Sequence, residues 1–296
     1  MPLKRHVIGG VLMSGRSSLS KSRAILVAGT LALSLTAACS NFDPRAQGDL
    51  DSYSAEEIFQ RGEYELERGQ GDDAAYYFGE IERLYPYSEW AKRALIMQAF
   101  SYHRERDYPN SRAAAQRYID FYPVDEDAAY AQYLLALSYY DQIDEVGRDQ
   151  GLTSDALQAL RVVIERYPDT EYARSSILKF DLAFDHLAAK EMEVGRYYLR
   201  RGHYAAASNR FRIVVEDFQT TSHTAEALHR LVEAYLSLGL TDEAQTAAAI
   251  LGHNYQSTEW YQDSYALLTG RDLEVRDMGN NWLSAIYRQV VRGEWL

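Results

Sequence analysis

Two eight-residue stretches set the frame for this chain. Gly62–Gly69 reads GEYELERG and Gly195–Gly202 reads GRYYLRRG, so both follow G-x-Y-x-L-x-R-G. The agreement continues without a gap at the same offset: Ala74 with Ala207, Phe78 with Phe211, Ile81 with Val214 and Tyr85 with Phe218. A chain that repeats itself this way builds from one unit used several times, because a unit that leaves an apolar face open can bury it only against the next copy.

The unit length comes from a second marker, an aromatic followed by Pro or Gln. It occurs at Tyr85-Pro86, Tyr122-Pro123, Tyr167-Pro168, Phe218-Gln219 and Tyr255-Gln256, at intervals of 37, 45, 51 and 37 residues. A base unit near 37 suits a helix–turn–helix. The first excess matches the polar insert Asp144–Gly151 (DEVGRDQG), and the second, about 14 residues, matches four more helical turns. Local signals agree with helix. Leu228, Leu231, Val232, Tyr235 and Leu236 form one stripe at i, i+3, i+4, i+7, i+8, and Ile177, Phe180, Phe184, Leu187 and Ala188 form another. Ser54 with Glu57 makes a capping box. Gly69, Gly202 and Gly239 stand where a helix wants a left-handed last residue, and the marker prolines stop helices. No period-2 strand pattern is convincing.

The small and aromatic positions resemble tetratricopeptide repeats. Ala74, Ala113 and Ala207 would let helices approach closely, and Tyr64, Phe78 and Phe100 would fill the space between hairpins. The expected fold class is all-α, a tetratricopeptide-like superhelix of about five repeats at 54–85, 88–122, 125–167, 170–218 and 222–255. The fourth repeat should have a long or kinked first helix. A helical extension, 256–296, holds the amphipathic stretch Trp282–Val291 and reads as a cap or a partner arm.

The N-terminus differs. Residues 1–38 carry Lys4, Arg5, Arg16, Lys21 and Arg23 and no acid, and Ala24 to Ala38 is almost wholly apolar or small. That run is short for a bilayer span but suits an export signal. The chain's one cysteine, Cys39, follows directly, and a lone thiol cannot close an internal disulfide. It could be a core residue, a nucleophile, an intermolecular bridge or an attachment point. The stretch LTAAC resembles the bacterial lipoprotein signal, with Thr36 where Leu is usual and Leu35 one step earlier. That resemblance implies cleavage between Ala38 and Cys39, and diacylglycerol and N-acyl lipid (palmitate) on Cys39 as the new first residue. Ser40 after the cysteine implies the outer membrane. Met13 is an alternative start to Met1. Residues 39–53 are polar and read as a tether.

Charge and chemistry narrow the functions. The full chain has 31 Lys+Arg against 43 Asp+Glu; loss of the five basic residues before Cys39 leaves it near −17. Such a surface repels phosphate backbones, which argues against nucleic acid. No phosphate loop, dinucleotide fingerprint or metal-ligand spacing occurs, and acid pairs such as Asp72-Asp73 sit at helix starts where carboxylates are favoured. No enzyme, metal or cofactor is expected. The 24 tyrosines read as repeat packing or as an aromatic-lined peptide groove.

Three further stretches carry a more specific resemblance. They are Leu84-Tyr85-Pro86-Tyr87; Arg117-Tyr118-Ile119 with Phe121-Tyr122-Pro123; and Tyr197-Tyr198-Leu199-Arg200-Arg201-Gly202 followed by Asn209-Arg210. Together with an exported cysteine and about five repeats, they resemble the BamD (ComL) family of outer-membrane lipoproteins over nearly the whole mature chain. The resemblance implies a non-catalytic scaffold of the β-barrel assembly machinery, lipid-anchored on the periplasmic face of a Gram-negative outer membrane. It implies docking on the periplasmic domains of the barrel protein BamA beside other Bam lipoproteins, and recruitment of unfolded outer-membrane proteins. By the same resemblance Tyr85 and Arg117 are substrate-groove candidates, where an aromatic face and a cation suit an aromatic-ended strand with its carboxylate. Arg210 is the BamA-side candidate; its plain alternative is a solvated Arg beside an acid such as Glu216. A periplasmic repeat lipoprotein acting as a pilotin or envelope organiser is the other reading.

Overall fold

The structure, a computed structural model, describes residues 50–277 and 282–286; Ala38, Cys39 and most of the tether lie outside the described residues. After a 3-10 turn at Leu50–Ser52, the chain runs through helical hairpins. The first pairs α1 (Ala55–Glu67) with α2 (Gly71–Leu84), and the second α3 (Glu89–Arg104) with α4 (Tyr108–Phe121). The third pairs α5 (Ala128–Tyr140) with α6 (Gly151–Arg166), and the fourth α7 (Glu171–Arg200) with α8 (Tyr204–Asp217). The fifth pairs α9 (Thr224–Leu238) with α10 (Thr241–Asn254), and α11 (Glu259–Thr269) follows. Each helix packs on its sequence neighbours, and α1 on α3, α3 on α5, α5 on α7 and α9 on α11 pack as well. No strand occurs among the described residues. This is the all-α, tetratricopeptide-like superhelix that the repeats imply.

The marker is a junction that ends one helix and starts the next within four to six residues. Tyr85, Tyr122, Tyr167, Phe218 and Tyr255 are each the C-cap of a hairpin's second helix. Three residues on, the hydroxyls of Ser88, Thr170, Thr221 and Thr258 donate to that aromatic's carbonyl at 2.7–2.8 Å. Ser88, Thr170 and Thr258 also accept from the third amide of the next helix, satisfying one of its orphan donors. At the first helix the Ser54–Glu57 capping box forms in both directions.

Within hairpins, Gly69, Gly202 and Gly239 take φ of 78°, 75° and 79°. There the amide of the following residue donates back five positions: Gln70 to Glu65, His203 to Tyr198 and Leu240 to Tyr235. The second hairpin makes the same turn with Arg106 at φ 64°, a position where the sequence carries no glycine signal. The third replaces it with an irregular loop between Tyr140 and Gly151, which the Lys190 ammonium ties to α7 through the Gly147 carbonyl at 2.7 Å. The fourth hairpin's extra residues extend α7 to 30 residues without a break, a rod of about 45 Å.

Packing corrects three side-chain expectations. Ala74 and Ala207 are fully buried, but Ala113 is exposed, and Ala114 and Ala115 make the close approach on α4. One residue on a helix is a 100° turn, so the choice among three successive alanines needs the neighbour's position. Phe78 is buried and Phe100 partly so, whereas Tyr64 is 57% exposed with the Arg68 guanidinium over its ring. On α7, Ile177 is exposed; Ala173, Ser176, Ala183, Ala188 and Met192 form the buried line instead.

Beyond α11, Trp282–Ile286 is helical and lies against the last hairpins. Leu283 is fully buried, the Trp282 indole donates to the Tyr235 hydroxyl at 3.2 Å, and Arg212 sits over the Trp282 ring. This part of the extension covers α8 and α9. The rest of Trp282–Val291, from residue 287, lies outside the described residues.

Candidate partner-binding surfaces

Tyr85 and Arg117 are held by neighbouring helices in different ways. The Tyr85 ring joins the first core cluster, with Phe59, Phe78 and Trp90, and its hydroxyl donates to the Tyr53 carbonyl. Arg117 on α4 reaches across to α2 and α3. Its guanidinium pairs with Glu82 at 3.1 Å and donates to the Gln98 side-chain carbonyl at 2.8 Å, while its buried Nε has no hydrogen-bond partner. The two side chains therefore share the α2 C-terminal region without stacking on each other among the described contacts. Past them, Tyr87, Phe121 and Val124 are strongly exposed on successive junctions.

A buried-edge network lies beneath those junctions. Asp125 accepts from the Lys92 ammonium at 2.8 Å and from the Tyr118 hydroxyl at 2.5 Å. The Lys92 and Tyr118 hydrogen bonds hold the Asp125 carboxyl down at about 2, while burial and the hydrogen bond to Asp125 push the Tyr118 phenol up. Lys92 is raised by the same partner. The network ties α3 to the α4–α5 junction, so it positions the surface.

Arg210 lies on α8, and its partner is Glu191 on α7, at 2.9 Å. The sequence points to Glu216 instead, but Glu216 is taken by Arg212 one helical turn before it, at 2.8 Å. Arg210 and Arg212 differ by 200° around the helix, so the closer acid in sequence faces another way. At the neighbouring step, α7 and α9 are bridged by polar groups: Arg196 with Glu226 at 2.7 Å, and Asp185 with His223 at 3.3 Å and with Ser222. His229, between Trp260 and Ser264, is lowered by burial, Glu233 acting against it.

The outer face of α7 was not singled out from sequence. Leu178 and Leu182 are 68% and 63% exposed, one helical turn apart. The 51-residue interval was the available signal: a helix lengthened beyond its neighbours carries apolar residues that nothing covers. Among the described residues no group of three His, Cys, Asp or Glu could hold a metal, and no helix is long and apolar enough to cross a membrane.

The family model described as YfiO, outer membrane lipoprotein, matches residues 51–250. The chain is 43% identical over 250 residues to the outer membrane protein assembly factor BamD of Caulobacter vibrioides, covering 84% of this chain and 82% of that protein. It is 41% identical over 211 residues to BamD of Rickettsia prowazekii, covering 71% and 84% respectively, and 28% identical over 235 residues to BamD of Neisseria meningitidis, covering 76% and 88%. With the repeat fold and these relatives over most of its length, the chain belongs to the BamD (YfiO) family of outer membrane lipoproteins.

Proposed function

We propose that this chain is an assembly factor for outer-membrane β-barrel proteins, working as a scaffold without catalysis. The observation that carries the reading is the 43% identity to an outer membrane protein assembly factor across 84% of the chain. An all-helical stack with polar clamps between hairpins suits such a role, because it presents long edges to extended or helical partners.

In this reading, diacylglycerol and N-acyl chains on Cys39 hold the protein on the periplasmic face of the outer membrane, and cleavage falls after Ala38. Several chains on one cysteine are needed, since a single myristoyl-length chain gives a binding constant of only about 10⁴ M⁻¹. The first two hairpins, with Tyr85 and Arg117, receive the aromatic-ended strand of unfolded outer-membrane proteins. The exposed Tyr87 and Phe121 at the ends of the first two hairpins support that placement. Arg210 belongs to the surface that docks on BamA, beside other Bam lipoproteins. Affinity purification from detergent-solubilised membranes tests the reading. Co-purification of a large β-barrel protein is expected; recovery of a secretin instead would assign the chain to pilus or secretion assembly.

A further inference from the structure

We infer that the outer face of α7, centred on Leu182, is a docking site for a basic amphipathic peptide segment of a partner protein. Leu182 forms a ridge between two crevices. On one side a cavity of about 380 Å³ is lined by Tyr140, Ile143 and Asp144 of the α5–α6 loop and by Ala183 and His186. On the other, a cavity of about 410 Å³ lies between Asp181, Phe184 and Asp185 and the α8–α9 junction. Both fall within the size range of sites that take a ligand group, and side chains one helical turn apart on an incoming segment would reach one each.

The face is built as a site rather than left as a bare surface. Leu178, Leu182 and His186 follow i, i+4, i+8 along α7, so the two exposed leucines and the imidazole share one line. The His186 Nε2 is buried at the cavity wall with no hydrogen-bond partner.

Charge decides which occupant fits. Asp181 and Asp185 make the adjacent line at i, i+4, and Asp144 closes the far side. Asp144 is answered by Arg148, and Asp185 is shared with His223 and Ser222, but Asp181 has no ion pair among the described residues. Lys190, the nearest cation farther along the helix, is engaged by the Gly147 carbonyl. Lys or Arg flanking an apolar anchor would therefore meet Asp181, with Asp185 adding to the local negative charge. A second copy of this chain fits poorly, since it would set the same carboxylates against each other on a chain already strongly acidic.

The site is separate from the Arg210 surface. Glu191, which holds Arg210, stands two and a half helical turns from Leu182 and so on the opposite side of α7.

The test uses the full mature chain and a fluorescent helical Leu/Lys peptide with leucines at i, i+4, read by anisotropy. Controls are a peptide of the same composition with scrambled order, and one with Glu in place of Lys. Wild type should bind the ordered Leu/Lys peptide at least about tenfold more tightly than either control. The exposed substitutions Leu178→Ser with Leu182→Ser, and separately Asp181→Lys, should each weaken binding by about tenfold with unchanged thermal unfolding. Equal binding of the scrambled peptide, or undiminished binding by the leucine double variant, would overturn the site. Self-association that the leucine variant abolishes would give the face to a second copy and overturn it as well. None of these readouts involves the barrel protein, so the outcome is independent of the assembly reading.

Discussion

Phe211 occupies the space that any side chain at position 195 would need: a Cβ on Gly195 would stand 2.5 Å from the Phe211 ring. The same relationship recurs 133 residues earlier, where a Cβ on Gly62 would stand 2.7 Å from Phe78. Both phenylalanines are fully buried. The conserved spacing within the chain is thus a contact, a ring on the second helix of a hairpin laid into a notch on the first. Gly195→Ala and Gly62→Ala should each destabilise the fold by about 1–3 kcal/mol through overpacking, outweighing the helix propensity gained. Urea unfolding measures this; wild-type midpoints in both variants would show that the rings move aside freely.

Asp125 should make the fold sensitive to acid. Its folded-state carboxyl is held at about 2, below its ordinary value of 3.8, so its contribution is complete above 3.8 and is lost as pH falls towards 2. Asp125→Asn keeps an acceptor for the Tyr118 hydroxyl but removes the charge facing Lys92. The variant should be less stable at neutral pH by about 1–2 kcal/mol, allowing for partial exposure. The gap to wild type should close between pH 4 and pH 2. A gap that persists at pH 2 would assign the loss to packing.

Arg106 holds a left-handed conformation at φ 64° where the equivalent turns use glycine. That conformation costs an L-residue about 1–2 kcal/mol. Arg106→Gly should therefore stabilise the protein by about 0.5–1 kcal/mol after its greater unfolded-state entropy is counted. A melting temperature below wild type would show that the Arg106 side chain makes an offsetting contact.

The Arg210–Glu191 pair separates structure from docking. Arg210→Glu should weaken pull-down of the barrel protein and also set two acids together. Combining Arg210→Glu with Glu191→Arg rebuilds the ion pair with reversed polarity. Stability should return while pull-down stays weak; restored pull-down would mean that Arg210 acts only through the fold.

Anchoring and substrate contact give the last test. Cys39→Ser should leave an unlipidated chain that mass spectrometry finds outside the outer-membrane fraction; full retention there would remove the anchor role. Tyr85→Leu with Arg117→Gln should weaken crosslinking to the C-terminal strand of a barrel substrate while circular dichroism stays helical. Undiminished crosslinking would remove both residues from the groove.

Most features that depend on a few neighbouring residues were legible in the sequence; the glycine-free turn at Arg106 was not. The Ser54–Glu57 box, the left-handed glycines and the helix-ending aromatic markers are local, and local hydrogen-bond geometry follows residue identity; the repeat offset adds the number of units. Together they settled an all-α stack of about five hairpins. The tertiary structure alone decided which side of each helix faces inward. Helical periodicity marks a stripe, but α7 carries apolar residues around much of its girth, and only the positions of α6 and α8 choose Ala183 over Ile177. It also chose Glu191 for Arg210, because an ion pair forms with the acid that packing brings near, whatever the distance along the chain. The exposed ridge at Leu182 has the same origin: α7 is longer than its neighbours can cover, and coverage is a property of the assembled stack.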